Sequence, residues 1–229
     1  MQKNPRFAVI LSGCGRQDGS EIHEATLALL AIAENNCTYT CFAPNIPQAR
    51  TINHLTSEQE HQNRNVLIES ARIARGEIYP LSSINLNDFD CILLPGGLGA
   101  ITNWCDFQTQ GITCTVNETI SKVLEQAYEQ KKVIGAMCIA PMLLAKVLGS
   151  YGITITIGDD PKLEEIIHKM GAKSQKSDAL SAVKDEKNLI ATTPAYMLAT
   201  SIKEVAIGAK SLVSSMIELA NTHLTTLEK

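Results

Sequence analysis

Residues 132–149 read Lys132-Val133-Ile134-Gly135-Ala136-Met137-Cys138-Ile139-Ala140-Pro141-Met142-Leu143-Leu144-Ala145-Lys146-Val147-Leu148-Gly149. From Lys132 to Met137 the run is short and, after the lysine, apolar and uncharged, as a strand covered on both faces should be. Pro141 can open a helix, because the amide hydrogen it lacks is one that the first turn leaves unpaired, and Gly149 closes that helix. A strand that runs through one cysteine into a helix puts Cys138 on a sharp turn, with its sulfur facing the crevice above the sheet. The partial positive charge of the helix is expected to favour the thiolate there.

The same grammar extends in both directions. Phe7-Ala8-Val9-Ile10-Leu11 stops at Ser12-Gly13-Cys14-Gly15, a buried strand entering a glycine-rich loop. Asp18-Gly19-Ser20 then supplies capping residues, and Ile22, Ala25, Leu29, Ile32 and Ala33 recur at helical spacing. A β-prone stretch at 38–42 follows, so the order β-α-β implies parallel pairing. Phe89-Asp90-Cys91-Ile92-Leu93-Leu94 is another buried strand, and Pro95-Gly96-Gly97-Leu98-Gly99-Ala100 after it must be a tight loop. Further helices are expected over 64–75, 118–130, 161–170 and 197–219, with strands over 77–81, 153–157, 180–184 and 189–192. Residues 45–64 carry no assignment, and 101–117 read as irregular. No linker or repeat interrupts the pattern, so residues 1–229 are read as one α/β domain with a mostly parallel sheet.

Composition agrees with that class. Of 229 residues, 45% are hydrophobic but only 4% aromatic, so the core is aliphatic, as in helix-covered parallel sheets. Lys plus Arg total 20 against 24 Asp plus Glu, dispersed along the chain, which leaves no basic stripe for a nucleic-acid backbone. No run approaches the ~20 apolar residues of a membrane-spanning helix. Seven cysteines, an odd number without regular spacing, point to free thiols in a reducing compartment, and the cytoplasm is expected.

Three loops fall at strand C-terminal ends, namely 12–24, 95–100 and 138–141, and their convergence would define the site. Cys138 is the candidate nucleophile, whereas Cys37, Cys41, Cys91, Cys105 and Cys114 read as small core residues; Cys14 is intermediate, either bordering the site or, as the better reading, packing its loop. Glu24, in the first turn of the opening helix, is the candidate acid/base; a helix-start acid that complements the dipole is an equally good reading from spacing alone. His23 is as suited to solvent as to the crevice, and His54, His168 and His223 read as packing or surface residues. Gly96, Gly97 and Ile139 offer backbone amides to an oxyanion. Gly13, Gly15 and Gly19 are wrongly spaced for a dinucleotide fingerprint, Cys37 and Cys41 lack a nearby His for zinc, and no cofactor or metal is expected.

The motifs Ser12-Gly13-Cys14-Gly15, Asp18-Gly19-Ser20-Glu21-Ile22-His23-Glu24, Pro95-Gly96-Gly97-Leu98-Gly99-Ala100, Met137-Cys138-Ile139-Ala140-Pro141 and Thr192-Thr193-Pro194-Ala195-Tyr196-Met197 together resemble the glyoxalase-like, ElbB-type group of the PfpI superfamily, which shares the class I glutamine amidotransferase fold. The resemblance spans nearly the whole chain. It implies a flavodoxin-like three-layer sandwich, a nucleophile elbow at Cys138, Glu24 hydrogen-bonded to the thiolate, a small reactive aldehyde as substrate, cofactor-free conversion of glyoxal to glycolate, related protein deglycase activity, and a homodimer. Apolar Leu27 and Leu30, outside the main helical stripe, suit such an interface. Ile139 stands where many superfamily members carry a His, and Lys169-Met170 after His168 denies a glutaminase its His-x-Glu pair, so amidotransfer and proteolysis are not expected. A non-catalytic redox-sensing or accessory protein linked to isoprenoid metabolism is the alternative, in which Cys138 is oxidised.

Overall fold

Strand β1 (Arg6–Ile10) lies inside a seven-stranded sheet and is apolar from Phe7 onward because both of its faces are covered. The computed structural model describes residues 4–227. In chain order the elements are β1, α1 (Ile22–Glu34), β2 (Thr38–Ala43), β3 (Thr51–Ile52), β4 (Gln59–Glu60), α2 (Val66–Ile73), β5 (Ile78–Pro80), β6 (Cys91–Leu94), α3 (Gly99–Thr102), α4 (Phe107–Gln110), α5 (Glu118–Glu129), β7 (Val133–Met137), α6 (Pro141–Leu148), β8 (Thr154–Ile155), α7 (Pro161–Lys169), β9 (Lys173–Ser174), β10 (Val183–Asp185), β11 (Ile190–Thr193) and α8 (Ile202–Leu227).

The main sheet has the order β10-β11-β7-β6-β1-β2-β5, and only the β10–β11 pair is antiparallel. The chain winds outward from β1 through β2 to β5, then returns to place β6 on the other side of β1. That reversal is the topological switch point at which α/β sheets bind ligands. Helices cover both faces: α1 packs on α8, α8 lies against β7 and β11, and α5 packs on α6 and β7. Gly135 in β7 admits the Met216 side chain of α8, where a Cβ would collide with the sulfur.

Several expected elements shift for identifiable reasons. The apolar stretch at 153–157 does not join the main sheet; β8 is short and pairs with β9. The amides of Thr154 and Thr156 donate instead to Asp185 Oδ2 (2.6 Å) and Thr192 Oγ1 (2.8 Å), so side chains replace a ladder. The closing helix begins at Ile202 rather than near 197, because Ala195–Met197 forms a 3-10 turn after β11. Residues 45–64 contain the β3–β4 hairpin, and residues 101–117 contain α4 and a further 3-10 turn. Leu27 packs against the core and is not free for an interface, while Leu30 stays exposed.

Candidate active site

Cys138 follows β7 with φ of +59°, a left-handed conformation that costs a residue with a Cβ about 1–2 kcal/mol. Two backbone bonds hold it there. Its N–H donates to Thr193 O (2.9 Å), extending the β7–β11 register, and Ala140 N–H closes the turn onto Met137 O (3.0 Å). Cys138 keeps 9% exposure and forms part of a cavity wall, so the turn sets the residue at a cleft as its position before α6 predicts.

Glu24 is fully buried and faces the same sulfur. Its Oε2 accepts the Gly96 N–H (3.0 Å), its Oε1 accepts the Tyr196 N–H (3.2 Å), and its carboxyl hydrogen-bonds the Cys138 thiol. Neighbouring Glu21 is the helix-start acid: it is the N-cap of α1, and its Oε2 accepts the Glu24 N–H (2.8 Å). The two carboxyl groups, alike in sequence context, therefore divide into a cap and a site residue.

The electrostatics reverse one expectation. Burial, reinforced by the Glu24 carboxylate, holds the Cys138 thiol well above its ordinary pKa, and the N–H groups of Gly97 and Ile139, which donate to the sulfur, pull only part of the way back. A helix terminus offers about 0.3–1 kcal/mol, whereas taking an ion out of water costs several, so burial outweighs the helix and favours the thiol form. Burial likewise pushes Glu24 up to about 8, against the opposing hydrogen bonds from Tyr196, Cys138 and Gly96.

Gly96 has a different task from the one its sequence position suggests. Its N–H is taken by Glu24, so it orients the acid and offers no donor to an oxyanion, which leaves Gly97 and Ile139. A Cβ at Gly96 would collide with Glu24 Oε2 and Cys138 Cβ together. Gly96→Ala is therefore expected to separate the pair, lowering Cys138 reactivity at least ~10-fold and stability by about 1–3 kcal/mol, measured by iodoacetamide labelling and denaturant unfolding.

The cavity over Cys138 is about 670 Å³ and is bounded by loops from four strands. Arg16, Glu21 and His23 come from the β1 connection, Gly97, Leu98 and Ile101 from the β6 connection, Ile139 from the elbow, and Tyr196, Met197, Ala199 and Thr200 from the segment after β11. This fourth segment, which carries the Thr192–Met197 motif, joins the three loops expected to converge. Tyr196 is the residue that sequence reasoning missed: its N–H holds Glu24, and its hydroxyl lies 2.8 Å from His23 Nδ1. His23 is exposed, yet that contact keeps it on the cavity rim. Cys14 is half-buried and does not line the cavity, and His54 packs, with Nδ1 against Ile52 O (3.0 Å) and Nε2 accepting the Gln17 N–H (3.2 Å).

The flavodoxin-like fold is shared by solved DJ-1 and ThiJ/PfpI proteins. Drosophila melanogaster DJ-1beta aligns over 97% of the chain and 98% of its own with a TM-score of 0.53 at 17% identity. The chain belongs to the family of ES1 proteins and class 1 glutamine amidotransferase-like domain proteins. It is 38% identical over 224 residues to the human "Glutamine amidotransferase-like class 1 domain-containing protein 3, mitochondrial", covering 93% of this chain and 83% of that protein. The rat "ES1 protein homolog, mitochondrial" matches equally, at 38% over 93% of this chain and 84% of its own. A solved isoprenoid biosynthesis protein with amidotransferase-like domain from Ehrlichia chaffeensis superposes with a TM-score of 0.87 at 36% identity, covering 93% of this chain and 99% of that one. No family model matches the chain.

Proposed function

We propose that the chain is a cofactor-independent enzyme of the glyoxalase III type, in which Cys138 adds to an aldehyde and Glu24 moves the protons. The observation that carries this reading is the Cys138–Glu24 hydrogen bond at the floor of an open cavity, with Glu24 poised near neutrality. As the sulfur attacks glyoxal, Glu24 takes the thiol proton and a hemithioacetal forms. The proton on the attacked carbon then shifts to its neighbour through an enediol, giving a hydroxyacetyl thioester. Water releases glycolate and regenerates the thiol, so no external oxidant or reductant is required. The N–H groups of Gly97 and Ile139, already directed at the sulfur, are placed to reach the oxygen that gains charge one bond away. The same addition would act on glyoxal-modified amines.

The test is glycolate formation from glyoxal by purified protein without added thiol or metal. The redox-sensing alternative predicts selective oxidation of Cys138 by peroxide with no aldehyde turnover, and burial, which favours the thiol form, disfavours it. All seven cysteines are free, which fits a reducing compartment, the cytoplasm in our reading; the human and rat relatives carry "mitochondrial" in their names. Among the described residues no helix is long and apolar enough to cross a membrane. A homodimer, with exposed Leu30 of α1 near its interface, is part of the same proposal.

A further inference from the structure

Arg16 is the unmatched charge of the cavity. It is exposed, and its guanidinium has no hydrogen bond or ion pair within the described residues. Its backbone is nevertheless fixed, because Arg16 O accepts the Leu98 N–H (2.8 Å) and so ties it to the loop whose Gly97 N–H faces the Cys138 sulfur. The other ionisable groups of the wall have partners. Glu21 Oε2 is committed to the start of α1 and His23 Nδ1 to the Tyr196 hydroxyl, while Glu24, buried behind the wall, is held by Gly96, Tyr196 and Cys138. Leu98, Ile101, Met197 and Ala199 add an apolar lining.

Size points the same way. A cavity of about 670 Å³ is in the range that holds a drug-sized ligand, and glyoxal would leave most of it to water. An unpaired guanidinium is a planar fork matched to a carboxylate, and it costs little to recruit because no internal partner must be displaced.

We infer that Arg16 receives an anionic group of the substrate, so that the preferred substrate is an α-oxoaldehyde bearing a carboxylate on a short carbon chain rather than neutral glyoxal. This rests on the cysteine-dependent reading above. The bond changes are those already given: the S–C bond forms, the thiol proton passes through Glu24 to oxygen, the aldehyde hydrogen moves to the adjacent carbon, and water cleaves the thioester. With 4,5-dioxopentanoate as the probe, the product is 2-hydroxyglutarate, an isomerisation plus hydration without net redox change.

Two readouts separate this inference from the reading beneath it. The first is kcat/KM for 4,5-dioxopentanoate over that for methylglyoxal, and the second is the rate of Cys138 alkylation by iodoacetate over that by iodoacetamide, which needs no turnover. Wild type is expected to favour the anion in both. Arg16→Ala lowers each ratio by roughly tenfold or more, Arg16→Lys restores part of it by keeping the charge without the fork, and about 0.5 M salt erodes the preference in wild type but not in Arg16→Ala. Ratios that Arg16→Ala leaves unchanged would overturn the inference. An Arg16-dependent alkylation ratio in a protein that turns over neither aldehyde would sustain the anion site while sinking the glyoxalase reading.

Discussion

If the proposed chemistry holds, Cys138→Ser is expected to lower kcat/KM for glycolate formation from glyoxal by at least ~10³-fold while the fold persists. The serine hydroxyl can take over the hydrogen bonds that the sulfur makes with Glu24 and with the N–H groups of Gly97 and Ile139. It does not change the backbone strain at φ of +59°, because serine carries the same Cβ. Stability is therefore expected to stay within about 1 kcal/mol of wild type, so that a loss of turnover reports chemistry and not unfolding. The hydroxyl is a far weaker acid than the thiol, and a carboxylate with a pKa of about 8 cannot ionise it usefully. Glycolate measured by chromatography, beside a thermal melt of the same sample, checks both halves. Normal turnover in the serine variant would remove Cys138 from the mechanism.

The elbow was legible because its determinants are local: an apolar strand, one polarisable residue, and a proline at the first helical position lie within ten residues of chain. The opening β-loop-α unit was legible for the same reason. What depends on distant neighbours was not. Glu21 and Glu24 both sit at the start of α1, and only the return of β6 beside β1, which brings the Gly96 N–H to one of them, decides which carboxyl joins the sulfur. Tyr196 enters the site because β11 pairs with β7, a contact that no window of sequence contains. The electrostatics of Cys138 depend on distant neighbours too: the charge of α6 can be read from a proline, but the burial that opposes it can be read only from the packed fold.

Glu24→Gln is expected to lower kcat/KM ~10²- to 10³-fold and to erase the pH dependence that the acid imposes. In wild type, the form able to accept the thiol proton is the ionised carboxyl. With Glu24 at about 8, only about a tenth of the molecules hold it at pH 7, so kcat/KM should climb nearly tenfold between pH 6 and 7 and level off above 8. Stability runs the other way. The folded pKa is raised above the ordinary carboxyl value of 4.5, so the folded protein binds the proton more tightly than the unfolded chain does. That contribution is complete below about pH 4.5 and is lost as pH rises through about 8, amounting to several kcal/mol at most. Glutamine cannot ionise and lacks this slope, but it has one carbonyl where Glu24 offers two acceptors to Gly96 and Tyr196. Its amide must then face one of those N–H groups, at a cost of about 1–3 kcal/mol. Denaturant unfolding should therefore find the variant less stable than wild type at pH 5, with the gap closing by pH 9. A variant that kept the ascending limb between pH 6 and 8 would show that some other group takes the proton from sulfur. The protonation state that the proposed mechanism uses is thus also the least stable one, which is the expected cost of keeping a carboxyl beside a thiol out of water.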